Sequence, residues 1–342
     1  MIIANSTVSE IESTGKEIEK LLEERLKLEL SDFEQVKSIA LFGLKDIGLR
    51  LRPFFLKISY TASGRNFDDV KALASAVELI QISTLIIDDF LDDSLLRNHR
   101  PSIYSKWGSK QAVCSGTYLS SYALNLFVQE LNSRNNFKNQ GEVSSLLLKS
   151  HSDIYLGQFM DISIGSNPEF NESEYFDLIK LTTGSFISAS LEIGAMLWGA
   201  DSTELNRLKK IGLNLGLAYQ MRDDVLDIVG ETAYMGKPAF RDIYERKMRL
   251  PIIFALKNAM PDLYSKIIQL LLKKSNLVEE DILFISRTII SSGAIEYTIE
   301  KIKYYCNKAI EEIDDLSDQF SECSEHLRTV ANLISDFDTG NS

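Results

Sequence analysis

The chain is short of the residues that build turns, disulfide frameworks and basic surfaces. Its 342 residues include only 6 Pro and 18 Gly, too few for a β-rich protein in which turns recur at short intervals. Its three cysteines, Cys114, Cys306 and Cys323, have no zinc-like spacing. Their odd number argues against a disulfide framework. Met1 to Ser9 lacks the charge and apolar core of a secretory leader, so a reducing, cytoplasmic setting is expected. Positive charge is also scarce: 37 Lys+Arg stand against 49 Asp+Glu, a net charge of −12. That balance excludes a general nucleic-acid binder and makes an anionic membrane surface a poor partner. No apolar run reaches the roughly 18 residues of a membrane span. No short repeat or low-complexity tract is present.

What is present is apolar residues, 44% of the chain, at helical spacing almost throughout. No Pro/Gly/Ser-rich linker divides them, so one all-α domain over residues 1–342 is expected, with 1–30 as an amphipathic helix packing on the bundle. The spacing predicts helices over 10–29, 33–45 (capped by Ser31-Asp32), 72–93, 109–131, 142–164, 172–198, 203–229, 250–259, 262–274, 279–290, 294–316 and 320–337. Small residues at Gly184, Ser188, Ala189, Ser190 and Gly194 leave room for a close neighbour. A loop rich in Lys and Arg is expected over 230–247.

Two acidic clusters break this pattern. Asp88, Asp89 and Asp92 end one apolar helix, and Asp223, Asp224 and Asp227 repeat the spacing in another. Residues three and four apart share a helix face, and like charges there repel. Alone, either cluster is most simply a solvated helix end. Here each follows strongly apolar turns and is followed by cations, Arg97 and Arg100 in one case, Lys237 and Lys247 in the other. Carboxylates in such number suit Mg²⁺, which bridges to substrate phosphates, while Arg forks hold phosphate oxygens.

These clusters, with Gly48-Leu-Arg-Leu-Arg-Pro53, Gly157-Gln158 to Asp161, Gly236-Lys237-Pro238 through Asp242, and Lys247 to Pro251, resemble the trans-isoprenyl (polyprenyl) diphosphate synthase family over roughly Gly43 to Leu256. The resemblance implies an all-α, isoprenoid-synthase-like bundle around a deep central pocket, and a homodimer. It implies that Asp88, Asp89 and Asp92 bind two Mg²⁺ ions, and Asp223, with Asp224 and Asp227, a third. Arg97, Lys237 and Lys247 would grip an allylic prenyl diphosphate. Arg52 would meet isopentenyl diphosphate, with Gln81 a further substrate-binding position, and Gln158 and Gln220 would line the reaction centre. The implied chemistry is ionisation of the allylic C–O bond, attack by a double bond on the cation, and proton loss.

Several positions depart from the family's pattern. Leu49 stands where it has Lys, Asn98-His99 where it has Arg-Gly, and Thr182-Thr183 where it has Lys-Thr. Arg50 and Arg100 have the reach to stand in. Ser83 and Thr84, just before the first cluster, are small where aromatic residues would floor the pocket, which implies a product of C20 or more; alternatively Tyr118 or Tyr122 supplies the floor. A class I terpene synthase, or transfer to another acceptor, is the alternative on the same scaffold. A non-catalytic subunit is disfavoured because both clusters are intact. His99 reads as a solvated loop residue, and His151 and His326 as partnered or exposed. Arg241 and Arg246 read either as a cover for bound phosphate or as solvated.

Overall fold

In the computed structural model residues 2–45, 48–165, 167–229, 240–273 and 276–337 are described. They form α1 (Ile2–Glu29), α2 (Glu34–Gly43), α3 (Leu51–Thr61), α4 (Lys71–Leu91), α5 (Ile103–Trp107), α6 (Ser109–Asn132), α7 (Gln140–Ile164) and α8 (Glu172–Ile179). After α8 follow α9 (Ser185–Trp198), α10 (Ser202–Val229), α11 (Arg241–Tyr244), α12 (Leu250–Asn258), α13 (Pro261–Leu271), α14 (Glu279–Ser291), α15 (Ala294–Asp314) and α16 (Ser321–Ser335). The all-α expectation holds. Lys237, with the rest of 230–239, lies outside the described residues.

Apolar burial builds the frame. Leu79, Ile80, Ile82 and Ile86 of α4 are buried, and α4 packs on α6, α3 and α1. Each buried aliphatic side chain stabilises by about 1.5–3 kcal/mol. A like-charge pair at helical spacing costs only about 0.2–0.5 kcal/mol. The apolar face therefore carries α4 through to its acidic end. Ile18, Leu22 and Leu26 of α1 are fully buried, and α1 packs on α3, α4 and α16. The middle layer is α3 on α9 and α9 on α10, with α15 beyond α10. Its tightest contact is at Gly194, where an added Cβ would lie 2.1 Å from Ser59 Oγ and 2.4 Å from the Leu56 carbonyl. Only glycine permits that approach.

Four local features differ from the sequence expectation. The long helix over 172–198 is divided by a π-helical segment, Lys180–Gly184, of the kind that often marks functional sites. The cap of α2 is Phe33, with no side-chain hydrogen bond, not Ser31-Asp32. A 3₁₀ turn, Phe67–Asp69, capped by Asn66, precedes α4. Leu96–Arg97 pairs antiparallel with Arg100–Pro101. The intervening Asn98 and His99 have φ of 48° and 61°, as a two-residue hairpin turn requires. Asn and His are among the residues that accept this conformation.

Among the described residues no single helix is long and apolar enough to cross a membrane; α14 and α15 together pass by length and composition but meet at a 60° bend.

Candidate active site

The C-terminal ends of α4 and α10 open onto one cavity of about 350 Å³. Asp88 and Asp92 line it from α4, and Asp223 and Asp224 from α10. A helix C-terminus is the negative end of its dipole. Both clusters thus sit where carboxylates are least welcome, and each is compensated.

At the α4 end the compensation is cationic. Arg97 donates from Nε to Asp89 Oδ1 at 2.8 Å and from Nη2 to Asp88 Oδ2 at 2.9 Å. The hairpin delivers it there. Lys247 Nζ donates to Asp92 Oδ2 at 2.5 Å, and Arg241 Nη2 to the same oxygen at 3.2 Å and to Ser94 Oγ. Burial works against ionisation of Asp88, but Lys247, Arg97 and Arg241 hold its carboxyl below the usual range. Burial, with Asp88 beside it, pushes Asp92 up to about 7 despite Lys247. Asp89, 3% exposed, is raised by burial against the pull of Arg97.

At the α10 end Asp224 is held by neutral donors. Tyr175 Oη donates to Asp224 Oδ2 at 2.5 Å, and Gln220 Nε2 to Oδ1 at 3.0 Å. Thr183 Oγ1, from the π segment, donates to Gln220 Oε1 at 2.8 Å and so sets that amide's orientation. Burial pushes Asp224 up to about 7, with Arg249 opposing. Asp227 is fully buried, and its Oδ2 accepts the backbone N–H of Asp242 at 3.0 Å, tying α11 to α10.

The two ends are joined by a charged bridge. Arg249 forks onto Asp161 of α7 at 3.0 and 3.2 Å, the bidentate geometry of a strong pair. Lys247 lies 3.8 Å from Asp161 and 3.1 Å from Glu245.

The other expected positions distribute as follows. Arg50, Arg52, Gln81, Thr84, Arg97, Gln158, Gln220 and Lys247 line the cavity. Ser83 does not; it is buried and donates to the Ile80 carbonyl at 2.6 Å. Asp89 and Asp227 stand one row behind the wall, facing Arg97 and Asp242. Tyr118 and Tyr122 stack on each other at 6.1 Å, and neither reaches this cavity; Tyr118 lines a separate apolar cavity with Leu30, Phe33 and Val36. An aromatic wall comes instead from Tyr155 of α7. Arg241 is turned inward. His151 and His326 are partnered by Ser120 and Thr7 at 2.8 and 3.0 Å.

Glu78, Tyr155, Tyr175 and Glu245 escaped the sequence reading, and Asp242 and Arg249 lie in its matching stretches without a role. A single glutamate inside the apolar run of α4 was the available signal for Glu78; the others lack one.

The donor set fits a divalent ion shared with a substrate. Among the described residues no group of three acidic, His or Cys side chains converges tightly enough to hold a metal unaided. The two carboxylate clusters form two half-sites across one cavity. That suits Mg²⁺, which typically takes one or two carboxylates and completes its shell with phosphate oxygens and water.

The profile of the family described as polyprenyl synthetase matches residues 34–284. The chain is 31% identical over 304 residues to geranylgeranyl diphosphate synthase of Saccharolobus solfataricus, covering 88% of this chain and 90% of that one. It is 29% identical over 299 residues to heptaprenyl diphosphate synthase component 2 of Bacillus subtilis, covering 87% and 81%. A solved polyprenyl synthase from Caulobacter crescentus, complexed with calcium and isoprenyl diphosphate, matches with a TM-score of 0.85 at 27% identity over 97% of each chain.

Proposed function

Since the chain belongs to the polyprenyl synthetase family and is a prenyltransferase, we propose that it ionises an allylic prenyl diphosphate with Mg²⁺ between the ends of α4 and α10 and passes the prenyl group to an acceptor. The supporting observation is that Asp88, Asp92, Asp223 and Asp224, from two helix ends, line one cavity with Arg97 and Lys247. Asp88 and Asp92, with Asp89 behind them, would hold two ions, and Asp223, with Asp224, a third. A metal held there would supply positive charge to the departing diphosphate. Arg97 and Lys247 stabilise the same developing charge, as does Lys237 by the family resemblance. Tyr175 and Gln220 hold Asp224 in place. Leu85, Ile87, Ile154 and Ile187 keep water from the prenyl cation.

Two acceptor readings divide at the far end of the cavity. Condensation with isopentenyl diphosphate to a prenyl diphosphate of C20 or more is supported by the relatives' names and by the small Thr84 on the wall. Transfer to another acceptor, or cyclisation, is supported by the placement of Arg50 and Arg100, the side chains expected to stand in for Leu49 and Asn98. Arg50 is bound to Glu19 and the Leu44 carbonyl, and Arg100 lies 4.3 Å over Phe42. A second copy of the chain is the proposed partner, seated on the exposed row Leu148, Leu156, Phe159 and Ile162 of α7.

The test is release of diphosphate from farnesyl or geranylgeranyl diphosphate with Mg²⁺, and its loss on chelation. Release that survives chelation, or an unchanged rate in Asp88→Ala, would sink the proposal.

A further inference from the structure

The cavity wall lacks a cation at one position and carries another close by. Position 182, where the family's pattern has Lys, is Thr, and its Oγ1 donates to the Leu178 carbonyl at 3.1 Å. Thr182 lines the cavity but offers a phosphate oxygen no positive charge. Lys180, two residues earlier, is exposed and stands outside the cavity wall. An added Cβ at Gly157 would lie 2.6 Å from Thr182 Cγ2, so Thr182 rests on α7 at Gly157. Asp161 lies four residues further along α7, on the same face and about 5–6 Å away. Arg249 forks onto Asp161 there, at 3.0 and 3.2 Å. Its guanidinium thus stands about one helical turn from Thr182 and lines the same cavity. The four-carbon stem of a lysine at 182 has the reach to bring its ammonium to that region.

The backbone fixes Arg249. Its carbonyl accepts the N–H groups of Ile252 and Ile253 at 2.9 and 3.0 Å, Pro251 stands in the first turn of α12, and Leu250 is fully buried. The side chain is 12% exposed. Its Nε, 3.6 Å from Asp242 Oδ1, is buried without a hydrogen-bond partner among the described residues. A buried donor in that state carries a desolvation penalty that a ligand oxygen removes. The guanidinium fork matches a phosphate as well as it matches a carboxylate. Asp161 does not depend on Arg249 alone, because Lys247 Nζ lies 3.8 Å from its Oδ2.

We propose that Arg249 is a catalytic residue of this chain: it exchanges Asp161 for the diphosphate of the prenyl donor and supplies the positive charge that position 182 lacks. The assignment rests on the donor reading of this cavity. In the reaction the allylic C–O bond breaks and its electron pair leaves with the diphosphate. The Arg249 fork donates to the oxygens on which that charge develops. Arg249 transfers no proton, since its guanidinium stays charged throughout. Lys247, with three donors, stays beside Asp161.

The test uses the full chain with Mg²⁺, farnesyl diphosphate for turnover and inorganic diphosphate, the leaving group alone, for binding. Circular dichroism follows folding. Arg249→Gln should lower kcat about 100-fold and weaken inorganic diphosphate about tenfold. Adding Thr182→Lys to Arg249→Gln should restore at least about tenfold of the lost rate. Asp161→Asn releases the fork and should tighten inorganic diphosphate about threefold. A role confined to holding Asp161 gives the reverse: Asp161→Asn weakens binding as Arg249→Gln does, and Thr182→Lys restores nothing. Wild-type rate and affinity in Arg249→Gln, or a loss that Thr182→Lys leaves unrepaired, overturns the assignment. Where Arg249→Gln does not fold, Asp161→Asn decides, and unchanged or weaker binding of inorganic diphosphate overturns it. No turnover of the donor by the wild type overturns the donor reading itself.

Discussion

The two acidic helix ends carry the same residue spacing and are stabilised in different ways. At the end of α4, Asp88, Asp89 and Asp92 are held by guanidinium and ammonium groups. Two of these come from far along the chain: Arg241 and Lys247 are 149 and 155 residues from Asp92. At the end of α10, Asp224 is held by a phenol and an amide, and Asp227 by a backbone N–H. A cation-balanced patch exchanges partners readily, because a diphosphate competes for the same Arg and Lys side chains. A patch held by short hydrogen bonds from packed elements keeps its geometry. On the proposed function the α4 end would adapt to substrate, and Asp224 at the α10 end would hold its geometry.

The comparison can be broken at several points. The largest effect is expected from removing a wall carboxylate: Asp88→Ala and Asp223→Ala should each lower diphosphate release by about 1,000-fold, the range seen when a transition-state charge partner is lost. Circular dichroism should show both folded. Next, Arg97→Met leaves Asp89 buried without its partner. A loss of about 3 kcal/mol is expected, read by urea denaturation. Tyr175→Phe, the counterpart at the α10 end, should cost only about 1–2 kcal/mol and lower kcat more than it raises KM. Equal losses in the two variants would erase the distinction drawn here.

The smallest effect lies outside both patches. Glu10 is lowered to about 2, chiefly by its hydrogen bond to His326, with burial opposing. Because the folded-state pKa lies below the unfolded one, its contribution is present above about pH 4.5 and is lost as the pH falls toward 2. Half-exposed and screened, the pair is worth about 1 kcal/mol. Glu10→Gln should lower stability at pH 7 by that amount and flatten the acid limb of the stability curve.

Most of the fold was legible in the sequence. The acidic ends, the apolar faces of α4 and α10, and nearly every helix lay in plain periodicity. The π segment was not, because Thr182 and Thr183 continue a helical pattern. An added Cβ at Gly157 would lie 2.6 Å from Thr182 Cγ2, so the segment lies hard against α7, a contact invisible in linear order. The hairpin was missed for a different reason: Asn98-His99 is not the usual Asn-Gly turn. The bonds of Arg50 to Glu19 and the Leu44 carbonyl were likewise invisible in linear order.

The sequence by itself determined that Asp88 and Asp92, and likewise Asp223 and Asp227, share a helix face, since that relation is closed within about one turn of backbone. Tertiary structure decided which carboxylates meet across the cavity and which turn to a neighbour, so that Asp223 and Asp224 look into it while Asp227 looks at Asp242. It also decided that Arg50 answers to Glu19 and that Glu78 is buried facing two arginines. The reason is range. A helix turn is stabilised by bonds between near neighbours, whereas the balance of a buried charge depends on whichever group the packing brings alongside, from any distance along the chain.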